Sequence, residues 1–93
     1  MTIGVCRLKL YLPSCGSLKQ KRSILKSLTA RIQNKFNVSV SEINDNDLWQ
    51  KAEIGIAIIT NESRYANQVL SSVVELVQRQ CDLALIAYSV EML

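Results

Sequence analysis

The spacing of apolar residues changes repeatedly along the chain, and the order of these changes constrains the fold more than any other feature. A period of two predicts a strand with one buried face, and an i, i+3, i+4, i+7 rhythm predicts a helix. The predicted strands are Thr2–Leu12, Asn37–Ile43, Lys51–Thr60 and Leu83–Glu91, and the predicted helices are Ser17–Phe36 and about Asn61–Gln80. This β-α-β-β-α-β order predicts a ferredoxin-like α+β fold. We expect a four-stranded antiparallel sheet in the order 4-1-3-2, with both helices on one face.

The size and composition of the chain are typical of one small globular domain. It has 93 residues, of which 48% are hydrophobic and 20% charged, and we expect a single ferredoxin-like domain over residues 1–93. No linker or repeat interrupts it. No apolar run approaches the roughly 18 to 20 residues of a membrane span, and the N-terminus lacks a signal-peptide pattern. We therefore expect a cytoplasmic protein.

The first predicted helix, Ser17–Phe36, is amphipathic and carries most of the positive charge. Ser17 and Gln20 fit a capping box, in which each side chain bonds to the backbone N–H of the other. Six apolar residues form a stripe that could lie on the sheet: Leu18, Ile24, Leu25, Leu28, Ile32 and Phe36. Two groups of cations flank this stripe: Lys19, Arg22 and Lys26 on one side, and Arg31 and Lys35 on the other.

Charge is distributed unevenly along the sequence. Residues 1–41 hold eight Lys or Arg and no acid, whereas residues 42–93 hold three bases and eight acids. The net charge of +3 is therefore the sum of +8 in the first segment and −5 in the second. Exposed Lys and Arg often serve only to keep a protein surface hydrated. A long acid-free segment also fits an anionic partner, and the sequence leaves both interpretations open.

The residue types argue against catalysis and metal binding. The chain has no histidine, which removes the commonest general base and zinc ligand. Its three cysteines, Cys6, Cys15 and Cys81, show no metal-ligand spacing. We expect Cys6 and Cys81 to be small core residues. No catalytic residue, metal site, cofactor or small-molecule substrate is predicted, and we expect a non-enzymatic protein.

Known activities of this architecture match the sequence poorly. RNA-recognition motifs stack bases on aromatic residues of the two central strands, but the third predicted strand, Lys51–Thr60, has no aromatic residue. The first loop, residues 13–17, lacks the paired cysteines of a soft-metal carrier and the arginine and glycines of an acylphosphatase. The helix start at Ser17 could bind an anion, although we favour simple capping.

The sheet face away from the helices is a candidate interface. Six residues are expected there: Ile3, Val5, Tyr11, Gly55, Ala57 and Ile59. Such a half-apolar surface is often covered by a second copy or another partner, so we expect a homo-oligomer. Glu53 is expected on this face too, in a cross-strand ion pair with Arg7 or Lys9.

Trp49 lies in or beside the predicted hairpin loop that contains Asn44–Asp47, residues typical of turns. Its indole could pin the loop to the end of the core, or it could be an exposed anchor for a partner. The sequence favours the first only slightly.

Three segments in order and spacing resemble the YlxP-like proteins, small bacterial proteins classed as a domain of unknown function. They are SLKQKR at Ser17–Arg22, FNVSVSE at Phe36–Glu42 and DLWQKAE at Asp47–Glu53. SLKQKR differs from the commoner SLKEKR by one carboxylate, so this helix start is more positive. The resemblance implies a ferredoxin-like domain without an established catalytic residue set. Genes of this family often neighbour that of ribosome-binding factor A, which implies a role near the small ribosomal subunit.

These observations lead to two main hypotheses. In the first, an accessory protein contacts structured RNA or the small ribosomal subunit through phosphates. The predicted contacts are Arg7, Lys9, Lys19, Lys21, Arg22, Lys26, Arg31 and Lys35. In the second, a homodimerising or protein-binding module uses the open sheet face with Trp49 and Tyr11. A small enzyme or ligand-binding regulator at the Ser17 helix start is the least favoured interpretation.

Overall fold

The computed structural model describes residues 1–93 and has the predicted order of elements. The strands are β1 (Thr2–Tyr11), β2 (Ser39–Asn44), β3 (Lys51–Thr60) and β4 (Ala84–Met92), and the helices are α1 (Leu18–Lys35) and α2 (Ser63–Gln78). The strands form one antiparallel sheet in the order β2-β3-β1-β4. This is the predicted order 4-1-3-2 read from the opposite edge, so the ferredoxin-like prediction is confirmed.

The sheet has a core face and an open face, and the register of its two central strands, β1 and β3, shows which residues lie on each. Their register pairs Cys6 with Ile56 and Leu8 with Ile54 on the core face, where all four side chains are buried. On the open face the register pairs Ile3 with Ile59, Val5 with Ala57, Arg7 with Gly55, Lys9 with Glu53 and Tyr11 with Lys51. The period-two alternation therefore assigned both faces correctly.

Both helices pack on the core face and share one apolar cluster with the sheet. From α1 the buried apolar residues are Leu25, Leu28 and Ile32, and α2 buries a wider stripe that includes Leu70, Val73 and Val77. Cys6 lies in this cluster, fully buried. Burial raises the pKa of its thiol to about 11, since a low-dielectric environment disfavours the thiolate.

Two local details depart from or refine the predictions. Cys81 is exposed, so its assignment to the core was wrong, because it lies in the connection between α2 and β4. In the β2–β3 turn, Asp45 has a φ of 63°, the left-handed conformation that Asp and Asn tolerate better than most residues.

Neither helix is both long and apolar enough to cross a membrane.

Gly4 marks the closest approach of β1 to α2. A Cβ atom there would lie 3.1 Å from Leu70 Cδ1, 3.1 Å from Ile58 Cγ2 and 3.3 Å from Ala66 Cβ. On the open face a Cβ at Gly55 would meet chiefly Ile43 Cγ2, at 3.2 Å. Because Ile43 is 41% exposed, its side chain can rotate away, whereas the neighbours of Gly4 cannot.

We predict that Gly4→Val lowers the free energy of unfolding by about 1–3 kcal/mol through overpacking. The same substitution at the other central strand, Gly55→Val, should change it by about 1 kcal/mol or less in either direction. Urea denaturation of the two variants measures the difference. Equal losses at both positions would contradict the assignment of the two faces.

Candidate nucleic-acid interface

Side-chain capping fixes the start of α1. Ser17 Oγ accepts a hydrogen bond from the Gln20 N–H at 3.1 Å, and Gln20 Oε1 accepts one from the Gly16 N–H at 2.9 Å. The predicted capping box is therefore present, except that Gln20 reaches Gly16 rather than Ser17. Its effect is to begin α1 at Leu18 with the orientation that the core requires.

The surface of α1 is cationic because no acidic residue occurs between Leu18 and Lys35. Five of its basic residues are exposed: Lys19, Arg22, Lys26, Arg31 and Lys35. None of the five has a carboxylate within 4.0 Å, since the chain's two ion pairs involve other residues. Arg31 donates a hydrogen bond to Gln80 Oε1 at 3.0 Å, which fixes its guanidinium without neutralising its charge. We call these five side chains the α1 cations.

The α1 cations form two rows along the helix, separated by a strip of shorter side chains. At about 100° per residue, Lys19, Arg22 and Lys26 fall on one flank of the buried stripe, and Arg31 and Lys35 on the other. The exposed residues between the rows are small or polar: Ser23, Ser27, Ala30 and Asn34. A polyanion could thus approach the helix backbone closely while both rows contact it.

Lys21 is not part of this surface, so its assignment to the phosphate contacts was wrong. Its side chain is 1% exposed. Its ammonium donates hydrogen bonds to the carbonyl oxygens of Asp45 at 2.5 Å and Leu48 at 2.7 Å, and it forms an ion pair with Glu42 Oε2 at 2.8 Å. Two hydrogen bonds and one ion pair thus compensate for the loss of hydration. Lys21 is therefore unavailable to a phosphate.

The sequence contained a signal for this buried pair that the charge analysis missed. Lys21 lies three residues after Leu18, four before Leu25 and seven before Leu28, which places it within the apolar stripe of α1. Glu42 continues the alternation of Val38 and Val40 and so faces the core side of the sheet. An inward lysine and an inward glutamate on neighbouring elements predict a buried ion pair.

Arg7 and Lys9 are exposed, but they lie on the open face of the sheet, opposite the helices. The structure therefore does not bring them together with the α1 cations, because the sheet and its core separate the two groups. A single flat contact cannot include both. The eight predicted phosphate contacts divide into five on α1, two on the open face and one that is buried.

The predicted ion pair of Glu53 with Arg7 or Lys9 is absent. Lys9 is the register partner of Glu53, yet no ammonium or guanidinium lies within 4.0 Å of its carboxylate. Glu53 Oε2 instead accepts a hydrogen bond from Asn44 Nδ2 at 2.7 Å. This bond ties β3 to the end of β2, where the register of the two strands shifts.

The two aromatic residues predicted to bind a partner are both exposed, Trp49 by 53% and Tyr11 by 37%. Trp49 therefore does not hold its loop against the core, and the alternative of an exposed anchor fits its position. The Lys21 ammonium holds the loop instead. Tyr11 ends β1 on the open face, beside Lys51.

Comparison with known proteins identifies the family. Residues 3–90 match the profile of a family described as "Protein of unknown function (DUF503)". The chain belongs to this family. DUF503 has no assigned activity, so membership adds no catalytic or binding residue to those described above.

Two further similarities agree with this placement. The chain is 46% identical over 59 residues to the "Uncharacterized protein YlxP" of Bacillus subtilis (strain 168), and the match spans 63% of this chain and 64% of that protein, just under two thirds of either. The solution NMR structure of a de novo designed protein with ferredoxin fold, LFR1 1, is similar with a TM-score of 0.54 and 13% identity. The structural alignment covers 98% of this chain and 85% of the designed protein. This similarity supports the fold alone.

The three segments that resemble YlxP-like proteins meet at one point of this DUF503 structure. Lys21 comes from the first segment, Glu42 from the second and Leu48 from the third, and the Lys21 ammonium contacts the other two. The ion pair gives Lys21 and Glu42 a structural role, whereas Leu48 contributes only its backbone carbonyl oxygen. Lys19 and Arg22, also in the first segment, are exposed.

We predict that Lys21→Met destabilises the fold by about 3 kcal/mol. Glu42 Oε2 is shielded from solvent and has no partner other than Lys21, and removal of one member of a buried pair leaves an uncompensated charge. Lys26→Met, on the exposed side of the same helix, should change stability by about 0.5 kcal/mol or less. Urea denaturation measures both effects.

A double-variant cycle tests the pairing itself. Lys21→Met combined with Glu42→Met should be less destabilising than the sum of the two single changes, because the second change removes the orphaned carboxylate. Strict additivity would show that Lys21 and Glu42 do not interact.

Proposed function

We propose that this protein is a non-enzymatic accessory factor of the cytoplasm that binds structured RNA, such as the RNA of the small ribosomal subunit, through α1. The observation that carries the proposal is the set of five exposed α1 cations without a carboxylate partner. A cationic helix that the chain does not neutralise attracts a polyanion and gains free energy from the release of its counterions.

Recognition by α1 would depend on backbone shape and charge. Side chains cannot read the deep, narrow major groove of an RNA helix, so double-stranded RNA is contacted mainly at phosphates and 2′-hydroxyls. An 18-residue helix is about 27 Å long at 1.5 Å per residue, which is long enough to reach several phosphates. The two rows of cations, separated by small side chains, suit such a contact.

The opposite face offers an internal control for the proposal. Arg7 and Lys9 have the same charge as Lys19 and Arg22 but lie on the open sheet face. If α1 is the interface, removal of either pair changes the net charge equally, but only the α1 pair contacts RNA.

We predict that Lys19→Gln/Arg22→Gln weakens binding to a structured RNA and lowers the steepness of its salt dependence. If five phosphates are neutralised, the log–log slope of affinity against salt should be about −3.5 to −4.5, and loss of two contacts should reduce its magnitude by about 1.4–1.8. Arg7→Gln/Lys9→Gln should leave the slope nearly unchanged. Anisotropy of a labelled RNA across a salt series measures both. A slope near zero for the unmodified protein would exclude this function.

We also propose that the open sheet face pairs two copies of the chain. Its exposed apolar residues include Ile59 (69%), Ile86 (60%) and Ile43 (41%), with Val5 and Ala57 between them. The molecule measures 42 × 21 × 18 Å, so its broad face offers roughly the 800 Å² per partner of a standard interface. The face carries both signs of charge, Arg7 and Lys9 with Glu91, which allows it to complement a second copy of itself.

We predict that Ile59→Lys shifts the chain to a monomer in sedimentation velocity at micromolar concentration, because an unpaired ammonium would be buried between the paired faces. Tyr65→Lys places the same charge on an exposed aromatic position of α2 (52% exposed) and should leave association unchanged. A protein that is already a monomer before substitution contradicts the proposal.

A further inference from the structure

The loop between β2 and β3, residues 45–50, exposes two large apolar side chains to solvent. Trp49 is 53% and Leu48 47% exposed. Around them lies an open groove of about 490 Å³, lined by Asp47, Leu48, Trp49, Gln50 and Lys51.

The backbone on both sides of Trp49 is held in place although its indole is not. Before it, the Lys21 ammonium binds the carbonyl oxygens of Asp45 and Leu48. After it, the Leu12 N–H donates to the Gln50 carbonyl oxygen at 2.8 Å, and Gln50 Nε2 donates to the Pro13 carbonyl oxygen at 3.5 Å. The indole is thus attached to a backbone that is already ordered, which reduces the entropy lost when a ligand binds there.

We propose that Trp49 is a stacking platform for an unpaired nucleobase of the RNA that α1 contacts. The inference rests on the proposed RNA-binding function and adds to it the kind of RNA: a helix with a loop, bulge or frayed end. Stacking on an indole accepts any base, because every base has a π face. Trp49, in the loop that leads into β3, thereby supplies an aromatic surface that β3 itself lacks.

The charges around Trp49 favour a base over a phosphate at the groove itself. The Asp47 carboxylate repels phosphate but can accept a hydrogen bond from an amino or imino group of a base. Lys51, in the same groove, is placed to contact the flanking phosphate. Lys21 joins this loop to the first turns of α1, which carry Lys19 and Arg22, so that the base and the phosphates would belong to one stretch of RNA.

The same cations argue against a protein segment in this groove. A segment that complements Asp45 and Asp47 would be basic, and it would be repelled by Lys51, which lines the same groove. A nucleotide carries both an apolar ring for Trp49 and negative charge for Lys51 and the α1 cations.

Trp49 is the chain's one tryptophan, so its fluorescence reports directly on the groove. The test compares two RNAs of equal length at low salt: a hairpin with a single-stranded loop and a blunt, fully paired duplex. We expect both to bind, as followed by the anisotropy of a label on the RNA. Only the hairpin should quench Trp49 emission, because only it has a base free to stack.

Substitutions separate stacking from charge. Trp49→Leu should weaken hairpin binding about tenfold and leave duplex binding unchanged, whereas Trp49→Phe should retain most of the affinity. Since the side chain is half exposed, both variants should fold normally, and their thermal unfolding checks this. Lys19→Gln/Arg22→Gln should weaken the binding of both RNAs.

The outcomes distinguish failure of this inference from failure of the proposed function. If both RNAs bind through α1 but the hairpin leaves Trp49 emission unchanged, or if Trp49→Leu weakens both RNAs equally, stacking at Trp49 is excluded and α1 binding stands. If neither RNA binds, both proposals fail. If Trp49→Leu instead abolishes self-association in sedimentation, the indole belongs to a contact between copies, and the inference is overturned.

Discussion

The Lys21 ammonium is the contact on which the arrangement of the surface depends. It is buried between α1 and the β2–β3 hairpin, where a carboxylate and two backbone carbonyl oxygens replace its hydration shell. Such a group is costly to bury and stable only when every donor is satisfied. Because its acceptors belong to a strand and a loop distant in sequence, the pairing fixes the loop relative to the helix, and with it the position of Trp49.

The fold gives similar side chains three different roles. The lysines and arginines of residues 1–41 are separated into a buried structural group, two outward rows on α1 and a pair on the open sheet face. Charge counted along the sequence therefore overstates the size of any one cationic surface. The cationic surface that remains on α1 is smaller than the sequence indicated, but it is contiguous. Its side chains have no carboxylate partner, and an anionic ligand requires this lack of neutralisation.

The two proposed surfaces are compatible because they lie on opposite sides of the sheet. Association of two copies through their open faces would leave both α1 helices outward, so that a dimer would present two cationic helices. Two linked contacts with one RNA would strengthen binding through their effective concentration. Membership of DUF503 is established by the match over residues 3–90, whereas the use of these surfaces rests on their chemistry.

The sequence by itself determined the order of the elements, the sheet order, the two faces of β1 and β3 and the capping of α1. These features depend on local periodicity and on residues close together in the chain, which spacing alone reveals. The inward positions of Lys21 and Glu42 follow from spacing, but only the tertiary structure decided that the two side chains meet, that Glu53 bonds to Asn44 rather than to Lys9, and that Trp49 stays in solvent. Each of these depends on which groups from distant segments meet and how much water they lose, because the energy of a charge or an indole is set by its surroundings.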